Sequence, residues 1–278
     1  MITRMNESLE FLRDKYGFPA GTVVAGSDYF CVETTSGTFP LLPHRVERRI
    51  IELKKMIDSA TLEEVSTLRF AKFTAGGDLK KLLAAELDLA EYLADSPVVR
   101  IFAGGDDKKV CNCIVRFANG ISASIECGIN LPVNTKNVDR HEIIARRGVG
   151  CDRGVDTQVP QHSIYLWNTD GETTFTDVDT ELFGLPDDAI WIVRAAYAVL
   201  KDASLPELWN AAARRSVKLA DCALESISNN LPVNVEVDFK DGTGKNCHDG
   251  HDPRAYQKIL SDSARKSETG LGRLLRAG

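Results

Sequence analysis

The sequence is most informative at first for what it lacks. Its apolar runs stop far short of the roughly 20 residues a membrane helix needs, so no membrane span is expected. Its start, "MITRMNESLEF", has a glutamate early and no apolar core, and does not read as a secretory signal. Basic residues are not in surplus. The formal net charge is -6, which argues against a nucleic-acid partner, since such proteins usually carry a basic patch. The seven cysteines are odd in number and follow no C-x-x-C spacing. That excludes a disulfide framework and points to reduced thiols in a cytoplasm. No internal repeat is visible. No G-x-G-x-x-G turn follows a strand, so a dinucleotide-binding unit is not legible.

What is present is an ordinary globular composition, with 43% hydrophobic and 27% charged residues over 278 positions. "NESLEFLRDKYG" reads as a short helix, with Asn6 as its cap and Gly17 as its stop. "GTVVAGSDYFCVETTSG" mixes β-prone runs with glycine turns. From Arg45 to Ser59 an apolar stripe of Ile50, Ile51, Leu53, Met56 and Ile57 predicts an amphipathic helix. "LRFAKF" reads as a strand and "GGDLKKLLAAELDLAEYL" as a capped helix. After Pro97 come short β-rich segments, with Asn119-Gly120 as the clearest hairpin turn. In "CNC" the sulfurs of Cys111 and Cys113 fall on one face of a strand, which suits packing. Two helices follow, "DDAIWIVRAAYAVLKD" and a longer one opening at Pro206, then a last strand in "LPVNVEV".

This order of elements, with the stretches "RVERRIIELKKMIDSATLEEV", "GGDLKKLLAAELDLAEYL", "CIVRFANGISASIECG" and "AAARRSVKLADCALESISNNLPVNV", resembles the C-terminal domain of the glucose-fructose oxidoreductase, inositol dehydrogenase and MocA family. The likeness covers roughly 45 to 237. It implies an α/β (α+β) fold: an open, mostly antiparallel sheet with helices on one face and an oligomer interface on the other. Residues 1–44 then form a short segment, a possible remnant of a nucleotide-binding domain, and 238–278 a polar tail. Family members place a catalytic lysine in a Glu-Lys-Pro segment, and an aspartate and histidine one turn apart on the glycine-led helix. Here "CVETT" puts Thr34 and Thr35 in place of the lysine and proline. On the helix, Lys81 stands at the aspartate position and Ala85 at the histidine position. An alanine cannot shuttle a proton.

The remaining candidates are few. Glu86 interrupts the apolar face formed by Leu79, Leu82, Leu83, Leu89, Ala90 and Leu93. Such a carboxylate is paired with a base, shifted in pKa or set at a cavity; the bland reading is a salt bridge to an arginine or open packing. Lys81 and Asp88 lie with Ala85 and Tyr92 on the opposite face. That face is either the border of a substrate pocket or a solvated charged face. Lys81, Glu86 and Asp88 are thus the catalytic candidates, and Lys81, Tyr92 and His162 the substrate-binding ones. His141 on "RHEIIARR" reads as strand packing. "ARRGVGCDRG" reads as a turn joining two strands. "NCHDGHDP", with Cys247, His248 and His251, reads as a loop rather than a zinc site.

The expectation is a divergent, non-catalytic or subunit-like protein with no cofactor of its own and no metal. Its partners would be a second copy through the sheet face, or a full-length paralogue. Two other readings stay open. One is an NAD(P)-dependent oxidoreductase of a sugar or polyol derivative, its cofactor site completed by another chain. The other is a lyase, isomerase or hydrolase in a remodelled pocket.

Overall fold

The computed structural model describes residues 1–152, 164–169, 171–175 and 184–236. Helix α1 (Ile2–Tyr16) leads into a three-stranded meander, β1 (Thr22–Ala25), β2 (Phe30–Thr34) and β3 (Gly37–Pro40). After a 3-10 turn at Pro43–Arg45 come α2 (Arg48–Asp58), β4 (Val65–Phe73) and α3 (Leu79–Ala94). The sheet continues with β5 (Val98–Asp106), β6 (Val110–Phe117), β7 (Ser122–Gly128), β8 (Val138–Ala145), β9 (Gly148–Cys151), β10 (Ile164–Asn168) and β11 (Gly171–Phe175). Helices α4 (Asp187–Lys201) and α5 (Leu205–Asn229) and strand β12 (Val233–Asn234) complete the described residues.

The nine-stranded sheet runs β11-β10-β9-β8-β4-β7-β6-β5-β12. Among the described residues its one parallel pair is β4 with β7; the other neighbours are antiparallel. Strict alternation builds it. On β6, Cys111, Cys113, Val115 and Phe117 face the helices, while Asn112, Ile114 and Arg116 face out. The Asn119-Gly120 turn forms as expected: Gly120 takes φ 91°, which glycine tolerates at no steric cost. Helices α2, α3 and α5 supply Ile50, Leu53, Leu83, Leu87, Leu219 and Ala223 to the core on one face of this sheet.

A second core lies apart from the sheet. Met5 and Leu9 of α1, Val23 and Val32 of the meander, and the apolar side of α4 bury one another. The boundary drawn at residue 44 falls inside this core, since Leu41, Leu42 and Val46 are all buried in it. The meander is antiparallel throughout, unlike the parallel βαβ unit of a dinucleotide domain.

Two local expectations are corrected. Asn6 does not cap α1, which begins at Ile2; its side-chain amide instead clamps β1, donating to the Val23 carbonyl and accepting the Val23 N–H (3.1 and 2.7 Å). Gly17 does stop the helix, at φ 63°. The helix expected from Arg45 begins at Arg48, because Pro43–Arg45 form their own tight turn. The open face of the sheet, where the family likeness sets an oligomer interface, is mostly polar. Phe102 and Ile114 form one exposed cross-strand pair, surrounded by Arg100, Asn112, Arg116, Ser124 and Glu126.

Candidate functional site: two buried ionic centres on helix α3

Helix α3 begins at Asp78, whose side chain accepts the Lys81 backbone N–H, and it buries Leu79, Leu83, Leu87 and Leu93. The polar residues along it do three different things. Lys81 is exposed, and its ammonium donates to the Ser27 carbonyl. Asp88 is not on a solvated face: it is 2% exposed. Arg45 grips it with two parallel bonds (Nε 2.8 Å, Nη2 2.7 Å), and His44 Nε2 stands 2.6 Å away. The tight turn at Pro43–Arg45 delivers both partners. Burial alone would raise the Asp88 pKa, but Arg45 and His44 overcome it and hold the carboxyl well below its usual range. Tyr92 caps this centre, its ring under the guanidinium of Arg45 (5.0 Å) and near the Lys54 ammonium (5.7 Å). Burial pushes its hydroxyl up to about 12.

The second centre lies on the other side of α3. Glu86 is paired with a base, and that base is His141 of β8, with Nε2 3.0 Å from Oε2. The imidazole is 1% exposed. Asp152, just after β9, holds it from behind: the Asp152 N–H donates to the His141 carbonyl, and the carboxylate meets both the His141 N–H and Nδ1 (2.5 Å). Burial works against charge on His141, yet Asp152 and Glu86 raise its pKa to about 10. Phe70 closes one edge with a T-shaped contact at 4.8 Å.

The network then extends outward. Arg49 reaches Glu47 (2.6 Å), Asp139 (2.6 Å) and Asp152 (3.1 Å), and its guanidinium lies over Trp191 of α4 (5.7 Å). Lys72 donates to the same Asp139 oxygen as Arg49. Burial lowers the Lys72 pKa and Asp139 more than restores it; Arg49 and Lys72 in turn keep Asp139 well below its usual range. Burial pushes Glu47 up despite Arg49. An imidazole locked between two carboxylates and away from water is charged at neutral pH, and is a poor general base. A metal is the other group these residues fit. Asp139, His141 and Asp152 each bring one ligand atom, all within 4.8 Å of one another.

The rest of the candidate list falls away from these centres. Thr34, which the sequence likeness set against the family lysine, spends its hydroxyl on Ser36 and the Gly37 carbonyl. Arg146 and Arg147 turn between β8 and β9 and pair with Glu64 and Glu63. Cys111 and Cys113 are buried with their sulfurs 3.2 Å apart. His162 and the Cys247 loop lie outside the described residues. Sequence reasoning missed Arg49, Lys72, Asp139 and Asp152 as one unit. A signal existed for two of them. Lys72 follows Leu68 and Phe70 at alternate positions, and Asp139 precedes His141 and Ile143, so each interrupts the inward face of its strand.

The fold has solved counterparts over about 70% of the chain. An aldose-aldose oxidoreductase from Caulobacter crescentus superposes with a TM-score of 0.54 at 14% identity, over 69% of this chain and 62% of its own. A probable dehydrogenase from Thermotoga maritima gives 0.53 at 16% identity, over 69% and 63%. A myo-inositol 2-dehydrogenase from Lactobacillus plantarum gives 0.51 at 13% identity, over 70% and 64%. These neighbours are of the glucose-fructose oxidoreductase, inositol dehydrogenase and MocA type, and the chain is similar to them in fold. The chain spans a little under two thirds of the length of these proteins. At such identities the likeness establishes fold. No protein-family model and no curated protein matches the sequence. Among the described residues no helix is long and apolar enough to cross a membrane.

Proposed function

We propose that the chain is a divergent, subunit-like relative of these dehydrogenases that does not transfer hydride by itself. One observation carries the reading. On the face of α3 that the family likeness assigns to acid–base chemistry, Ala85 stands for the histidine and Lys81 for the aspartate, and Lys81 is bonded to the Ser27 carbonyl. The charged groups nearby are already spent: Asp88 on Arg45 and His44, Glu86 on His141. The protein would work in the cytoplasm as an oligomer. Its open sheet face, centred on Phe102 and Ile114, would meet a second copy or a full-length paralogue.

The neighbours favour a second reading, since each is named as a dehydrogenase or oxidoreductase. In it the chain acts on a sugar or polyol derivative with NAD(P) held by another chain. Titration of NADH and NADPH into the purified protein, followed by nicotinamide fluorescence and melting temperature, separates the two. A ligand that binds only the folded state raises that temperature. The first reading expects no saturation and no shift. Saturable binding by the isolated chain overturns it.

A further inference from the structure

We propose that Asp139, His141 and Asp152 bind one divalent first-row transition-metal ion, such as zinc or manganese. The proposal concerns the ion alone and holds whether or not the chain is catalytic.

Four features of the buried centre point the same way. The first is reach: Asp139 Oδ1 is 3.7 Å from His141 Nδ1, which is 2.5 Å from Asp152 Oδ2. Ligand atoms about 2.0–2.2 Å from a zinc ion stand roughly 3 Å apart or a little more, so small side-chain shifts suffice. The second is an unmet oxygen. Asp139 Oδ1 is buried and has no hydrogen-bond partner, while its twin Oδ2 takes both Arg49 and Lys72. Oδ1 keeps only ion-pair distance to His141 Nδ1, and a cluster of ion pairs alone gives no reason to leave a buried carboxylate oxygen without a hydrogen bond. An ion between the three residues gives it one, without displacing either cation from Oδ2.

The third feature is the support behind the histidine. A metal-bound imidazole characteristically donates its other ring N–H to a carboxylate, which fixes the tautomer. Glu86 Oε2 lies 3.0 Å from Nε2 and is placed to accept that proton, leaving Nδ1 for the ion. This gives the buried glutamate of α3 a role as a positioning residue. The fourth is charge. Glu47, Glu86, Asp139 and Asp152 meet two permanent cations, Arg49 and Lys72. Carboxylates thus outnumber the permanent cations by two, and a divalent ion that takes Nδ1 displaces the proton that charges His141. Entry is through the Asp139 and Lys72 side, where both side chains are 20% exposed. One imidazole and two carboxylates form a nitrogen–oxygen set suited to zinc or manganese rather than to a thiophilic ion.

The test uses the full chain, stripped with EDTA, checked for fold by circular dichroism and titrated with Zn²⁺ and Mn²⁺ by calorimetry. The expected result is one ion per chain and a raised melting temperature. Asp139→Asn weakens binding at least tenfold, and Glu86→Gln weakens it by about 10–100-fold, as removal of a metal's supporting carboxylate usually does. A chain with Cys247→Ser, His248→Ala and His251→Ala keeps its ion. Co²⁺ gives a second readout that needs no variant: ligand-field bands without a thiolate charge-transfer band. The proposal is overturned if the folded, stripped protein takes up neither ion. It is equally overturned if Asp139→Asn binds as tightly as the parent, if the Cys247 set abolishes binding, or if cobalt shows thiolate ligation.

Discussion

Arg45 and Asp88 meet through two parallel hydrogen bonds of 2.7 and 2.8 Å, on a carboxylate that is 2% exposed. The pair ties the tight turn after β3 to the middle of α3, and so ties the second core to the sheet. Taking one member from a buried pair costs about 3–5 kcal/mol, because the other charge keeps its desolvation cost. Asp88→Ala is therefore expected to lower the urea midpoint sharply. A loss near the 0–1 kcal/mol typical of surface pairs would show that the centre is solvated.

The same carboxylate fixes the sign of a pH effect. Its folded pKa lies below its unfolded one, near 3.9, so the ionised form contributes its full stability at neutral pH. That contribution fades as pH falls through the carboxylate range and is lost below the folded value. Melting curves of parent and Asp88→Asn, taken from pH 7 down to pH 3, should converge as the medium becomes acid. Curves that stay parallel would remove Asp88 as the cause.

Ser226 of α5 is fully buried, accepts the Ala103 N–H of β5 at 2.9 Å and donates to the Leu231 carbonyl at 2.7 Å. Ser226→Ala leaves the Ala103 amide without its acceptor, at about 1–3 kcal/mol. Ser226→Thr keeps the oxygen but adds a methyl group to a fully buried site. Chemical denaturation of both separates the hydrogen bond from the packing.

Phe102 and Ile114 face each other across β5 and β6 at 41% and 50% exposure. If this pair centres the interface between copies, Ile114→Lys halves the mass measured by light scattering and leaves the melting of the monomer unchanged. A mass that does not change moves the interface elsewhere.

Much of the fold is carried by short-range chemistry. The alternation of Cys111, Cys113, Val115 and Phe117, the Asn119-Gly120 turn and the stop at Gly17 each act within a few residues, and each formed as patterned. Glu86 stood out for the same reason, as a carboxylate on an apolar stripe. Its partner did not, because nothing local links a helix residue to His141, 55 positions away. Asp88 reads as lining a pocket or a solvated face because helical phase sets it with Lys81 and Ala85, but a turn more than 40 residues earlier covers it.

The sequence by itself determined the order of most strands and helices, the inward face of β6 and the apolar stripe of α3, and that Ala85 cannot act as an acid or base. Those follow from backbone sterics, side-chain period and functional-group chemistry, all local. Only the tertiary structure decided that residues 1–44 share a core with α4, and that Glu47, Arg49, Lys72, Glu86, Asp139, His141 and Asp152 converge. Charges attract whatever is brought near them, and what is brought near is set by how β4, β8, β9, α2 and α3 stack.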